Sequence, residues 1–127
     1  MQIDVPTSER VEVLDVTGEV EDAVPENATG TCTVFVPHTT AGVTINENER
    51  RLLADLTTAL DRLVPEDEDY GHNAVDDNAD AHIRSMLLGS SVTVPVEDGD
   101  LGLGTWQSLL FVESDGPRTR RLTVTVG

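Results

Sequence analysis

Apolar and polar positions change period along the chain, and those changes mark out its elements. Val11-Glu12-Val13-Leu14-Asp15-Val16 alternates imperfectly and predicts a strand near the N-terminus. Thr17 can cap a short helix over Glu19 to Val24, which Pro25 ends. Thr31 to Val36 alternates polar with apolar and β-branched residues, so it predicts a second strand. It runs into Pro37-His38-Thr39-Thr40, and extended structure resumes from Gly42 to Ile45. Leu52, Leu56, Ala59 and Leu63 then recur at helical spacing, with Leu53 and Leu60 widening the stripe. Asn46 is its predicted N-cap, Glu49 completes a capping-box pattern, and Pro65 stops the helix.

A further helix is predicted from about Asn78 to Leu88, capped by Asp76 or Asp77 and stopped by Gly89. Its core face would be Ala79, Ile83, Met86 and Leu87. The rest reads as β: Val92 to Val96, with Pro95 marking an edge or bulge, then Gln107 to Glu113, then Arg121 to Val126. Asp98-Gly99 and Asp115-Gly116-Pro117 are the turns between them. The pattern predicts an α+β fold with a mostly antiparallel sheet and about two flanking helices. Residues 1–127 form one expected domain, with no internal repeat and no linker.

Composition changes this picture chiefly through charge. Twenty-four acidic residues face eight basic ones, all Arg, for a net charge of −16. Such self-repulsion strains a compact fold in dilute buffer and fades in molar salt, where the Debye length is about 3 Å. Periodic apolar segments and 38% hydrophobic residues argue against disorder. The expectation is a soluble, cytoplasmic protein adapted to concentrated salt, with neither nucleic acid nor an anionic membrane as partner. The acidic start Met1-Gln2-Ile3-Asp4-Val5 argues against a signal peptide, and the single Cys32 fits a reducing compartment. Most carboxylates are then surface solvation, and runs such as Glu66-Asp67-Glu68-Asp69 point to no site.

Candidate chemistry lies in three segments. His38 ends a strand, His72 follows the acidic run, and His82 lies along the second helix's expected core face. These imidazoles suit acid–base work, anion binding or metal ligation, but equally capping or a core hydrogen bond. Their spacings of 34 and 10 residues match no compact metal motif. Thr39 and Thr40 can bond a phosphate or satisfy a turn. Glu47 lies beside a helix N-terminus, where a carboxylate is favoured. Gly102-Leu103-Gly104-Thr105-Trp106-Gln107 looks like a nucleotide-binding glycine loop, yet it leads into a strand and so lacks the helix N-terminus of such sites. Trp106 reads first as a core anchor, and Cys32 as a small buried hydrophobe.

Taken together, these segments resemble the YjbQ family, also described as secondary thiamine-phosphate synthases. The resemblance rests on His38-Thr39-Thr40-Ala41 through Ile45-Asn46-Glu47-Asn48, on Tyr70 and His72, and on Asp76-Asp77-Asn78 with Ala81-His82-Ile83. Leu87-Leu88-Gly89-Ser90-Ser91, Gly104-Thr105-Trp106-Gln107, and Glu113, Gly116 and Arg120 extend it over nearly the whole chain.

The resemblance implies a β-sandwich-like domain flanked by helices, assembled as a homotrimer with pockets near subunit boundaries. It implies transfer chemistry that joins a pyrimidine pyrophosphate to a thiazole phosphate and releases pyrophosphate. His38, Glu47 and His82 are then the expected catalytic residues. Thr39, Thr40, Asn46, Arg84, Gly104, Thr105, Trp106 and Gln107 are expected to bind the phosphorylated metabolite. His38, His72 and His82 are the candidate ligands of a divalent metal such as Mg or Zn, and Asp76 and Asp77 stay open between ligand and cap. The alternative is a non-catalytic trimer that binds a metal or a phosphate metabolite.

Overall fold

The computed structural model describes residues 1–127. Its strands are β1 (Gln2–Pro6), β2 (Glu12–Asp15), β3 (Gly30–Phe35), β4 (Ala41–Asn46), β5 (Ser91–Glu97), β6 (Asp100–Leu101), β7 (Ser108–Glu113) and β8 (Thr119–Val126). Its helices are α1 (Thr17–Ala23), α2 (Arg50–Leu63) and α3 (Ala79–Leu88), with a 3-10 turn at Gly71–Ala74. The strands form two sheets, in the orders β1-β8-β3-β5-β6 and β2-β7-β4. Every pairing is antiparallel, so the α+β expectation holds. No helix is long and apolar enough to cross a membrane.

The core lies between the sheets and follows from period-two alternation. Cys32 and Val34 of β3, Val94 and Val96 of β5, and Leu122 and Val124 of β8 bury against Val43, Leu109 and Phe111 of the smaller sheet. Cys32 is fully buried and unpaired, as expected. β7 is buried on both faces: Leu109 and Phe111 join the inter-sheet core, while Leu110 shares a hollow with Leu53 and Leu56 of α2 and Leu88 of α3.

Pro95 sits within β5, opposite Thr31 of β3. Its carbonyl accepts from Gly102 on the other side, so the missing N–H also faces outward, away from β3. Asp98 and Gly99 turn the chain from β5 into β6 with φ of 50° and 84°. This is the twist a two-residue hairpin demands. A Cβ on Gly99 would lie 2.2 Å from the Glu26 carbonyl oxygen. Gly99→Ala is therefore expected to lose about 1–3 kcal/mol from backbone strain, and more from the clash. Urea unfolding with an unchanged denaturant slope would measure this, and a midpoint equal to wild type would contradict it.

Several sequence expectations need correction. β1 was not expected, because its five residues carry only Ile3 and Val5 as apolar positions. Helix α2 is capped by Glu49, whose carboxylate accepts from the Arg51 N–H at 2.7 Å. Asn46 instead ends β4 and accepts from the Glu47 N–H. The inward stripe of α2 is Leu53 and Leu56, both half-buried, and Leu60, buried, continued by the buried Val64 at its C-cap, with Leu52 and Leu63 exposed.

Helix α3 departs furthest, because its inward face is polar. Asp80, Arg84 and Ser85 are buried with Ala79 and Ala81, whereas Met86 and Leu87 are exposed. The buried polar groups tolerate this because they find partners. Arg10 grips Asp80 through two hydrogen bonds of 3.1 and 3.2 Å, and Ser85 donates to the Ala41 carbonyl at 2.7 Å. The helix begins after Asn78, not Asp76 or Asp77, and Asn73 Oδ1 accepts from the Ala79 N–H.

Candidate functional site: a polar cleft between two histidines

Two ends of the fold converge on one cleft. The segment leaving β3 brings Pro37 to Thr40, and the start of α3 brings Asn78 and His82. The turn between β7 and β8 brings Asp115 and Arg118, with Arg120 beside them on β8. Together they line a cleft of about 650 Å³.

Its floor is a buried ion pair whose position follows from strand alternation. Arg120 lies in line with Leu122 and Val124, and Glu113 in line with Leu109 and Phe111, so each inward row ends in a charge. Glu113 is fully buried and Arg120 is 5% exposed. Arg120 donates from Nε to Glu113 Oε1 at 2.8 Å and from Nη2 to both Glu113 Oε2 and Thr40 Oγ1. Thr7 and the Ser114 and Asp115 N–H groups also donate to that carboxylate. Burial pushes the Glu113 pKa up, but bonds from Arg120, Asp115 and Thr7 outweigh it and hold the carboxyl below its ordinary value.

His38 stands above this floor. Its Nε2 accepts the Arg121 backbone N–H at 3.0 Å, so the ring is neutral with its proton on Nδ1. Burial lowers its pKa, and the nearby Arg120 lowers it further. His38 is expected to titrate below the ordinary value of about 6.5. Nitrogen-detected NMR should then show Nε2 unprotonated at neutral pH, and an Nε2–H tautomer would contradict the geometry.

His82 lies across the cleft, half-buried, and His72 meets it edge to face, with ring centroids 4.7 Å apart and planes at 80°. His38, Thr39, His82 and Ser90 also border a connected hollow of about 360 Å³. Arg118 donates to the Asp115 carbonyl and carboxylate, and Asn78 donates to Asp115 Oδ2 at 2.8 Å.

The structure thus unites His38, Thr39, Thr40 and His82 with Asp76, which the sequence left open between ligand and cap, and it adds Asn78, Asp115, Arg118 and Arg120, none of which was expected as a site residue. The inward parity of Arg120 was the available signal for the last. The other expected residues do not reach this cleft. Asn46 and Glu47 line a separate, leucine-walled hollow of about 210 Å³, so Glu47 is no acid–base partner of His38 within the chain. Arg84 is 1% exposed and donates to the Val64 carbonyl and Asp61, locking the end of α2 to α3 instead of binding a ligand. Gly104, Thr105, Trp106 and Gln107 form a tight exposed turn, in which Gly104 N–H donates to Gln107 Oε1 at 2.8 Å. Trp106 is 74% exposed and anchors no core.

Within the single chain no group of three or more His, Cys, Asp or Glu side chains is placed to hold an ion, and His38, His72 and His82 are not gathered as one ligand set. His38 has moreover committed Nε2 to the backbone.

The family profile described as UPF0047 protein YjbQ-like matches residues 1–127. A UPF0047 protein of Archaeoglobus fulgidus is 51% identical, over 98% of each chain. The UPF0047 protein YugU of Bacillus subtilis is 40% identical, over 93% of this chain and 91% of its own. Among solved structures, the hypothetical protein APE1520 from Aeropyrum pernix K1 superposes with a TM-score of 0.96 at 43% identity, covering 100% of this chain and 96% of that one. A YjbQ/UPF0047 protein from Clostridium acetobutylicum gives 0.94 at 41%, covering 100% and 99%.

Proposed function

Because the chain belongs to the YjbQ-like UPF0047 family, we propose that it is a small-molecule transferase of the thiamine-phosphate-synthase type, working in the His38–His82 cleft. The observation that carries this reading is a local concentration of donors. In a chain with only eight Arg and three His, one cleft gathers two of each, Arg118, Arg120, His38 and His82, while Asp76 and Asp115 also line it and Asp115 and Glu113 pair with the two arginines. Anion recognition draws on the donors these pairs leave free, Arg120 Nη1 and the His38 Nδ1–H.

The reaction makes one demand that the cleft can meet. The carbon–oxygen bond to pyrophosphate breaks with its electron pair staying on pyrophosphate, while the thiazole nitrogen lone pair forms the new carbon–nitrogen bond. The charge that develops on the departing group needs fixed donors. His38 offers its Nδ1–H, held in that tautomer by the Arg121 amide. Arg120 keeps Nη1 free of bonds within the chain while Glu113 and Thr40 fix its other nitrogens. Thr39 supplies a hydroxyl at the rim, and His82 orients the organic portion.

Pyrophosphate release should require both precursors together. Release from the pyrimidine alone would identify a hydrolase, and binding without release would identify a metabolite-binding protein. A cytoplasmic homotrimer is proposed with this activity, supported by the exposed apolar side chains Phe35, at the cleft, and Leu87, on α3. Light scattering should give about three times the 13.7 kDa chain mass, and the mass of one chain would exclude it. The acidic surface supports adaptation to salt: melting temperature should rise from dilute to molar potassium chloride, and a flat response would contradict this.

A further inference from the structure

Resting on the reading of the cleft as a phosphate site, we propose that the hollow on the far side of His82 is the subsite for a planar ring carried by the phosphorylated ligand. This hollow of about 350 Å³ has apolar walls from Tyr70, His72, Ala79, Ile83 and Met86, with His82 as the shared partition. It adjoins the polar cleft: His82 borders both, and Met86 also borders the intermediate hollow beside His38. The three hollows follow one another as a trough, with arginines at one end and carbon and ring faces at the other.

Helix α3 explains why this end is open. Its inward face is taken by Asp80, Arg84 and Ser85, so Ile83 is left half-buried and Met86 79% exposed. Neither is needed by the inter-sheet core. Tyr70 is fixed by its hydroxyl, which donates to the Pro65 carbonyl at 2.6 Å, so its ring stands as a wall. The edge-to-face pair of His72 and His82 adds a second rigid ring surface.

Aromatic walls and a thioether favour a flat π-system over a flexible alkyl chain, through ring–ring and sulfur–ring contacts. Size agrees: an apolar cavity of about 150 Å³ already holds benzene. The ligand class is a single heteroaromatic or aromatic ring joined by a short link to a phosphate or pyrophosphate.

Calorimetric titration with inorganic phosphate and with phenyl phosphate separates the two ends of the trough. Wild type should bind phenyl phosphate about tenfold more tightly, a difference of about 1.4 kcal/mol. Met86→Ser, at an exposed position, should shrink that preference to about threefold or less and leave phosphate binding unchanged. Ile83→Ala, read the same way, guards against an effect peculiar to one substitution. Equal affinity for the two probes in wild type overturns the ring subsite while leaving the phosphate site standing, and a neighbouring copy filling the hollow would give that same equality. A preference that survives both substitutions also overturns it. Failure of both probes to bind sinks the phosphate reading and the subsite together.

Discussion

Arg120→Met is expected to destabilise the fold by about 3–5 kcal/mol, because it strands a buried carboxylate without its cation. Glu113 is wholly buried, and Arg120 supplies hydrogen bonds to both of its oxygens. Methionine fills much of the arginine stem's volume, so the loss reports the unpaired charge more than a void. Replacing both partners, as Arg120→Met with Glu113→Leu, should recover much of the stability, since a buried pair is worth little against well-packed apolar groups.

The pH dependence has a defined sign. The folded Glu113 pKa lies below its unfolded value of about 4.3, so its contribution is complete above that pH and fades as pH falls through the folded value. In Arg120→Met the carboxyl loses its main favourable partner and its pKa rises. The deficit against wild type should thus be largest at neutral pH and narrow in acid. Urea unfolding at pH 7 and pH 4 would show this, and a deficit that widens in acid would contradict the pairing.

The second large effect is catalytic. His38→Ala is expected to lower kcat by about 10²–10³, the usual loss when one donor to a developing anion is removed. His38 is half-buried, and its one bond from the chain is the Arg121 N–H, so the fold should survive. The change should fall mainly on kcat, because the donor matters most as pyrophosphate leaves. A raised KM with unchanged kcat would demote His38 to ground-state binding.

How far the sequence foretold this depends on which link is asked. Strands β3, β7 and β8 and helices α1 to α3 were legible, because their apolar periods are sustained or bounded by Pro and Gly. β1 was not: a short strand gets its stability from pairing with β8, far away in sequence. The inner face of α3 was misread for a deeper reason. Periodicity assumes that apolar residues face inward, whereas Asp80 and Arg84 are buried by partners on other elements, Arg10, Asp61 and the Val64 carbonyl. Such partnerships leave no local trace.

The site divides along the same line. His38, Thr39 and Thr40 follow a strand end that the sequence reveals, and His82 sits on a legible helix. Bringing Arg118, Arg120 and Asp115 to them requires β8 to pair with β3, far away in sequence, which no spacing encodes. Glu47 and the Gly104–Gln107 turn were grouped with the histidines through resemblance, and the folded chain sets them on other surfaces.

The central claim is that the cleft between His38 and His82 carries the chemistry. Its most direct test is pyrophosphate release from the two thiamine precursors, comparing wild type with His82→Ala of equal melting temperature. The account predicts steady turnover in the wild type and its collapse in the variant. Equal turnover in both proteins would place the chemistry elsewhere and contradict it.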